Sequence, residues 1–235
     1  MFLLAWLLVA LKAFSWSVLP EQPACAQSGQ TPGNYSQLSI ALCFQDVDNG
    51  RRHLEIPSPD RSVLLMVEGD RASFQSNGRQ VGPAFSMWRD VEIIWSPDSR
   101  MLIETMSFGA AGPVRAGFGF VDPNISPEVP DVVKRIQKNF ASRHPGRKCH
   151  DTANVAGLAW LEGSKRAVLV AEIPPSPGCR PDGGYFEAYV VSLPQEAILE
   201  RYDMGEVAEK WGKVLGPSLK ADLELQRESR KLRGK

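Results

Sequence analysis

The chain has no excess of charge of either sign, since 27 lysines and arginines stand against 27 aspartates and glutamates over 235 residues. Without a net field nothing draws it toward a polyanion, so no nucleic-acid partner is expected. It also lacks the short patterns that announce chemistry. There is no G-x-S-x-G, no H-E-x-x-H, no C-x-x-C and no phosphate-binding loop. Gly117-Phe118-Gly119 has neither the third glycine nor the following helix of a dinucleotide fingerprint. Histidine is scarce: His144 and His150, with Asp151, are close enough in sequence to be imagined as metal ligands. But His144 stands at a helix exit and His150 beside an expected disulfide, which favours a plain loop. The acidic turn Asp46-Val47-Asp48-Asn49-Gly50 begins like a calcium loop, yet its glycine arrives one place early and no glutamate closes it. These absences leave no catalytic residue, no metal and no cofactor to assign, so the sequence leans toward a non-enzyme and leaves the question open.

What is present begins with an apolar run over 2–11, interrupted by Lys12, which gives way at Pro20 to a polar stretch ending in Ala24-Cys25-Ala26. This is the form of a signal peptide over 1–26 with a small-x-small cleavage site. A basic n-region is missing, so an uncleaved anchor stays open as the alternative. Cleavage after Ala26 leaves 209 residues (235 − 26) outside the cytoplasm, periplasmic or extracellular, with no membrane span. That length suits a single domain. In an oxidising compartment Cys43, Cys149 and Cys179 make an odd count. The expected bridge joins Cys149 to Cys179, each in a polar loop flanking the same pair of predicted strands, and leaves Cys43 as a buried thiol.

Residues 27–36, rich in Gly, Pro, Ser and Asn, read as a flexible leader, with a single β domain over 37–217 and a charged tail over 218–235 that should fray. Leu38, Ile40, Leu42 and Phe44 alternate with smaller or polar residues, the period of a half-buried strand. Residues 63–67 are apolar on both faces and predict a buried strand. Trp95-Ser96-Pro97-Asp98-Ser99-Arg100 lies between two apolar runs and reads as strand, type I turn, strand. Ser58-Pro59-Asp60 repeats its core 38 positions earlier (96 − 58), and the interval holds about four strands, the length of one propeller blade. Asp131 opens a helix over about 131–143, with Val132, Val133, Ile136 and Phe140 on one side and Lys134, Arg135 and Lys138 on the other. A third, eroded copy of the turn stands at Trp160-Leu161-Glu162-Gly163-Ser164-Lys165. Asp203 and Glu206 then form a capping box ahead of a short C-terminal helix.

The W-S-P-D-S-R element with its apolar flanks resembles the repeat of TolB-type β-propellers, well over 54–121 and loosely over 155–202. The fold expected is therefore mainly β, with antiparallel propeller-like repeats, one inserted helix and a C-terminal helix. Only three repeats are visible. Either further units are degenerate, or the assembly is an open set of sheets whose edge is covered by helices. The resemblance implies export and protein binding, and no catalytic residue carries over from it. The expected function is an exported module that binds a protein or cell-envelope component, with Trp95, Ser96, Pro97, Asp98, Ser58, Pro59, Asp60 and Trp160 as structural residues. The alternative is a small secreted hydrolase or carbohydrate-active protein with a loop-built site, for which Trp88, Trp95 and Trp160 would offer an aromatic platform.

Overall fold

The computed structural model describes residues 31–42, 53–87, 90–107, 113–122, 131–144, 152–173, 185–193 and 195–233. The elements in sequence order are β1 (Thr31–Pro32), β2 (Ile40–Leu42), β3 (His53–Pro57), β4 (Leu64–Glu68), β5 (Arg71–Ser76), β6 (Arg79–Ser86), β7 (Asp90–Trp95), β8 (Met101–Ser107), β9 (Arg115–Phe120), α1 (Asp131–Arg143), β10 (Asn154–Leu161), β11 (Arg166–Ile173), β12 (Tyr185–Ser192), β13 (Ala197–Tyr202), α2 (Met204–Trp211) and α3 (Pro217–Arg233). The strands form three antiparallel sheets, ordered β3-β4-β5-β6, β1-β2-β7-β8-β9 and β10-β11-β12-β13. The interval between the two Ser-Pro-Asp copies thus encloses four strands, β4, β5 and β6 of the first sheet and β7 of the second.

The sheets stack face to face in sequence order, and the apolar layers between them define the core. Leu65, Val67 and Phe74 of the first sheet meet Ile93, Leu102 and Met106 of the second. The opposite face of the second sheet sends Ile94, Ile103 and Phe118 against Val155, Leu169 and Tyr189 of the third, with α1 closing that layer through Val132, Val133, Ile136 and Phe140. The far face of the third sheet packs under α2 and α3 through Val168, Val190, Val207, Trp211 and Leu219. Because the middle sheet is covered on both sides, β8 is buried along nearly its whole length. Leu102 and Ile103, adjacent and pointing to opposite layers, are both fully buried. Each of them contributes about 1.5–3 kcal/mol through removal from water.

Two segments expected to be loose are built into the fold. Residues 34–39 form a strap across the second and third sheets. Gly216 N–H donates to Tyr35 O (2.8 Å), Ser218 N–H to Asn34 O (3.0 Å) and Gln37 N–H to Val214 O (2.9 Å). The Ser36 hydroxyl donates to Leu158 O (2.7 Å), and the carboxylate of Glu92 accepts from Asn34 N (2.6 Å), Tyr35 N (3.2 Å) and the Ser39 hydroxyl (2.9 Å). The flexible leader therefore cannot extend to residue 36. Its polar residues serve as hydrogen-bonding partners for a buried carboxylate instead of loop formers. The tail beyond residue 217 is likewise the helix α3, anchored by the fully buried Leu219. Of the alternation predicted near the N-terminus, Ile40 and Leu42 fall in β2, whereas Leu38 is exposed. The glycines of β9 make room for side chains packed against them. A Cβ on Gly119 would meet Leu102 at 3.0 Å and the Phe74 ring at 3.1 Å.

The helices are better read from sequence. The capping box is formed as expected: Asp203 accepts from Gly205 N (2.8 Å) and Glu206 N (3.0 Å), and Glu206 accepts from Asp203 N (2.7 Å). This stabilises α2 by about 1 kcal/mol. Cys43, Cys149, Cys179, His150, Asp151, Trp88 and the turn at Asp46 to Gly50 all lie outside the described residues.

Glu104 is a cost carried by the core. It follows Ile103 on β8 and so points toward the first sheet, where its Oε1 has no hydrogen-bond partner among the described residues. Burial pushes its carboxyl up to about 7 from an ordinary 4.5. Because the folded value is the higher one, the protonated side chain is fully accommodated below the unfolded value. Stability then falls as pH rises from about 4.5 to about 7 and stays low above that. Burial raises Glu92 in the same direction. Glu104→Gln should therefore flatten much of this fall and stabilise the protein above pH 7 by up to about 3 kcal/mol, the free-energy equivalent of such a shift. Denaturant melts of both proteins at pH 5 and pH 8 measure the effect, and equal melts at both values would show that Glu104 is solvated.

Candidate functional site

The residues singled out in the sequence come together at one end of the stacked sheets, where the hairpin turns lie. The two Ser-Pro-Asp turns share one geometry. In the first, the Ser58 hydroxyl donates to Asp60 Oδ1 (2.9 Å) and accepts from Val63 N (3.1 Å), while Asp60 Oδ1 also accepts from Ser62 N (2.9 Å). In the second, the Ser96 hydroxyl donates to Asp98 Oδ1 (2.7 Å) and accepts from Met101 N (2.9 Å), while Asp98 accepts from Arg100 N (3.2 Å). The fourth residue of each, Arg61 and Ser99, takes the same left-handed φ of 61°. Pro59 and Pro97 are exposed and set the entry into each turn. Hydrogen bonds hold the Asp60 carboxyl below the ordinary carboxylate range, and those from Ser96, Ser164 and Arg100 outweigh the partial burial of Asp98 to lower it as well. Both carboxylates are occupied with their own turns.

The turns are also joined to one another. Asp60 N–H donates to the Ser99 hydroxyl (3.2 Å), and Asp98 N–H donates to the Ser164 hydroxyl (3.2 Å). Ser164 follows Trp160 by the same four positions as Ser99 follows Trp95, so the eroded third copy keeps the residue that receives its neighbour. Both hydroxyl-bearing residues are buried. A second link runs alongside: Trp95 packs on Phe74 of the first sheet, with centroids 5.7 Å apart, and Trp160 on Phe118 of the second at 6.2 Å. Phe74 lies opposite Leu65 and Phe118 opposite Ile103, equivalent places in the two repeats. Pro57 and Arg61 occupy the tryptophan and serine positions of the first repeat. The third turn departs from the pattern locally, with Glu162, Gly163 and Ser164 all at positive φ.

Chemically richer is a cluster at the opposite end of the third sheet, which the sequence reading did not assemble. Glu187 on β12 is fully buried. Its Oε1 accepts from Arg201 Nη1 (3.1 Å) and Arg143 Nε (3.3 Å) and lies 3.2 Å from His144 Nε2, while its Oε2 accepts from the Tyr189 hydroxyl (2.7 Å). Burial, and then the bond to Glu187, pushes the Tyr189 phenol well above the ordinary tyrosine range. The His144 ring is held between Phe140 and Tyr185, with centroids at 4.8 and 4.4 Å. His144, once a conceivable metal ligand, is thus committed to a carboxylate and two aromatic rings. A lone glutamate in an otherwise apolar strand, Tyr185-Phe186-Glu187-Ala188-Tyr189, was the signal that marked it. The described residues hold no group of three metal-ligating side chains.

A third feature is a shallow open depression of about 520 Å³ lined by Asp131, Lys134, Arg135, Lys138, Gln195 and Glu196, where α1 meets the β12–β13 turn. Arg135 donates to Glu196 O, and Val132 N–H donates to Glu196 Oε2 (3.2 Å), so the turn is tied to the helix. A scan against protein-family models and a search of curated proteins both find no match to this sequence.

The paired turns lead to a direct expectation. Ser96→Ala leaves Met101 N–H without its acceptor at a fully buried position and should destabilise the fold by about 1–3 kcal/mol. Ser99→Ala removes only the link to Asp60 and should cost about 1 kcal/mol. Denaturant melts with a binding assay on the same samples would separate structure from function: lost function at unchanged stability in either variant would make this end of the molecule a binding site.

Proposed function

We propose that the protein is an exported, non-catalytic binding module built of TolB-type propeller-like units, which holds a protein or cell-envelope component through α1 and the β12–β13 turn beside it. The observation that carries this reading is the basic outer face of α1. Lys134 and Arg135 keep side-chain exposures of 70% and 52%, and with Lys138 they line an open depression suited to a surface contact more than to a small molecule. In sequence order α1 follows the third strand of its repeat, the place that β6 and β13 take in the other two. A helix substituted for a strand in one unit alone suggests selection for the surface it presents.

A photo-crosslinking residue at Gln195 in the full-length protein tests the reading in cells. Discrete adducts that vanish in a Lys134→Glu, Lys138→Glu double variant of unchanged melting temperature are the expected outcome. Adducts insensitive to those charges, or none, would reject α1 as the contact. Mass spectrometry of the same material should place the mature N-terminus at Gln27, and non-reducing peptide mapping should join Cys149 to Cys179. An intact Met1 species in the membrane would mean a retained anchor.

One observation favours the hydrolase reading, the 3.2 Å approach of His144 Nε2 to buried Glu187, since a carboxylate can orient an imidazole as a general base. Against it, the same carboxylate oxygen serves two guanidinium groups. Turnover of ester or glycoside substrates that His144→Ala abolishes would reverse the preference.

A further inference from the structure

We propose that Arg143 and Arg201 form a receptor for a single carboxylate group presented by a binding partner, with Glu187 as the buried template that aims them. The site lies at the C-terminal end of α1, away from the depression near its N-terminus, and does not depend on the reading given for that depression.

Glu187 takes one N–H from each arginine. A guanidinium carries five N–H donors in a rigid plane, so each arginine has four donors left and loses little freedom in using them. The side chains of Arg143 and Arg201 remain 42% and 32% exposed although the carboxylate they share is buried. That division, with the anion inside and two cations partly at the surface, ties both guanidinium groups to one carboxylate while leaving part of each side chain accessible. Two positive charges meet Glu187, and the nearby Asp203 adds a second negative one, so a ligand is held by the guanidinium forks more than by a net field, which suits a singly charged carboxylate better than a dianion. The remaining groups nearby are already engaged: the Tyr189 hydroxyl donates to Glu187, and the Asp203 carboxylate caps α2. The C-terminus of α1 favours the positive charge of Arg143, so that cation is stabilised there before any ligand arrives. Arginine forks bind carboxylates in parallel pairs of hydrogen bonds, and donors already fixed in place bind more tightly than free ones.

Such a carboxylate has two sources in a protein partner, the side group of an acidic residue or the terminal carboxylate of the polypeptide. The test follows the Nε–H resonances of Arg143 and Arg201 in the full-length protein labelled with ¹⁵N-arginine. The probes are N-acetylglycine, which mimics a polypeptide end, N-acetylglutamate α-amide, which carries only a side-group carboxylate, and N-acetylglycine amide as the uncharged control. Both resonances should move on one saturable curve with at least one acid and stay still with the amide, and the stronger acid identifies the source. Arg201→Gln should weaken binding roughly tenfold or more, the effect of losing about 1.4 kcal/mol of charge-assisted bonding. Arg143→Lys, which keeps the charge and loses the fork, should weaken it without a shift in melting temperature, whereas Lys138→Gln should leave it unchanged. Shifts that never saturate, binding undiminished in Arg143→Lys, or tighter saturation by inorganic phosphate at pH 7 would each overturn the assignment.

Discussion

The hydrogen bond from the backbone of one turn to the serine of the next sets how the sheets stand against one another. Apolar layers supply most of the free energy, but a face of leucines and isoleucines is tolerant of sliding and rotation. The bonds from Asp60 N to Ser99 Oγ and from Asp98 N to Ser164 Oγ fix the end of each sheet to the end of its neighbour. Within a turn, the Ser-Asp pair holds the amide at the angle needed to donate. The Trp95–Phe74 and Trp160–Phe118 contacts act at the same junctions. A directional bond at the rim and a broad apolar contact behind it divide the work of specifying and stabilising the stack.

Much of this was legible in the sequence because turn chemistry is local. Ser, Pro and Asp at fixed offsets mark a turn whatever surrounds it, and the 38-residue interval (96 − 58) matched the four-strand period, β4 to β7, although the sheet boundary falls between β6 and β7. The capping box at Asp203 and the stripe of Val132, Val133, Ile136 and Phe140 were readable for the same reason, since a helix brings residues three and four apart together by its own geometry. Ser99 and Ser164 were harder to read, being ordinary turn serines until their partners in another repeat are placed beside them.

What could not be read depends on residues far apart in the sequence. Asn34, Tyr35 and Ser36 have loop composition, and only the buried Glu92, 58 positions beyond Asn34, turns their amides into anchors. Glu187 was the most hidden, because its partners Arg143 and Arg201 come from α1 and β13, and a lone acid in a strand does not name the elements that will meet it. The charges of the C-terminal stretch suggested solvation, whereas one face of α3 carries enough apolar surface at Leu219 and Leu223 to dock.

The strap has a consequence for how the protein must mature. Its residues leave the ribosome well before their partners at 214–218. Until those arrive, the amides of Asn34 and Tyr35 can reach Glu92 but half of their backbone bonding is missing, and β2 rests on β7 without the C-terminal clasp. Synthesis can therefore assemble the sheets one after another while the strap waits, and a long-range closure follows only when residues 214–218 have been delivered.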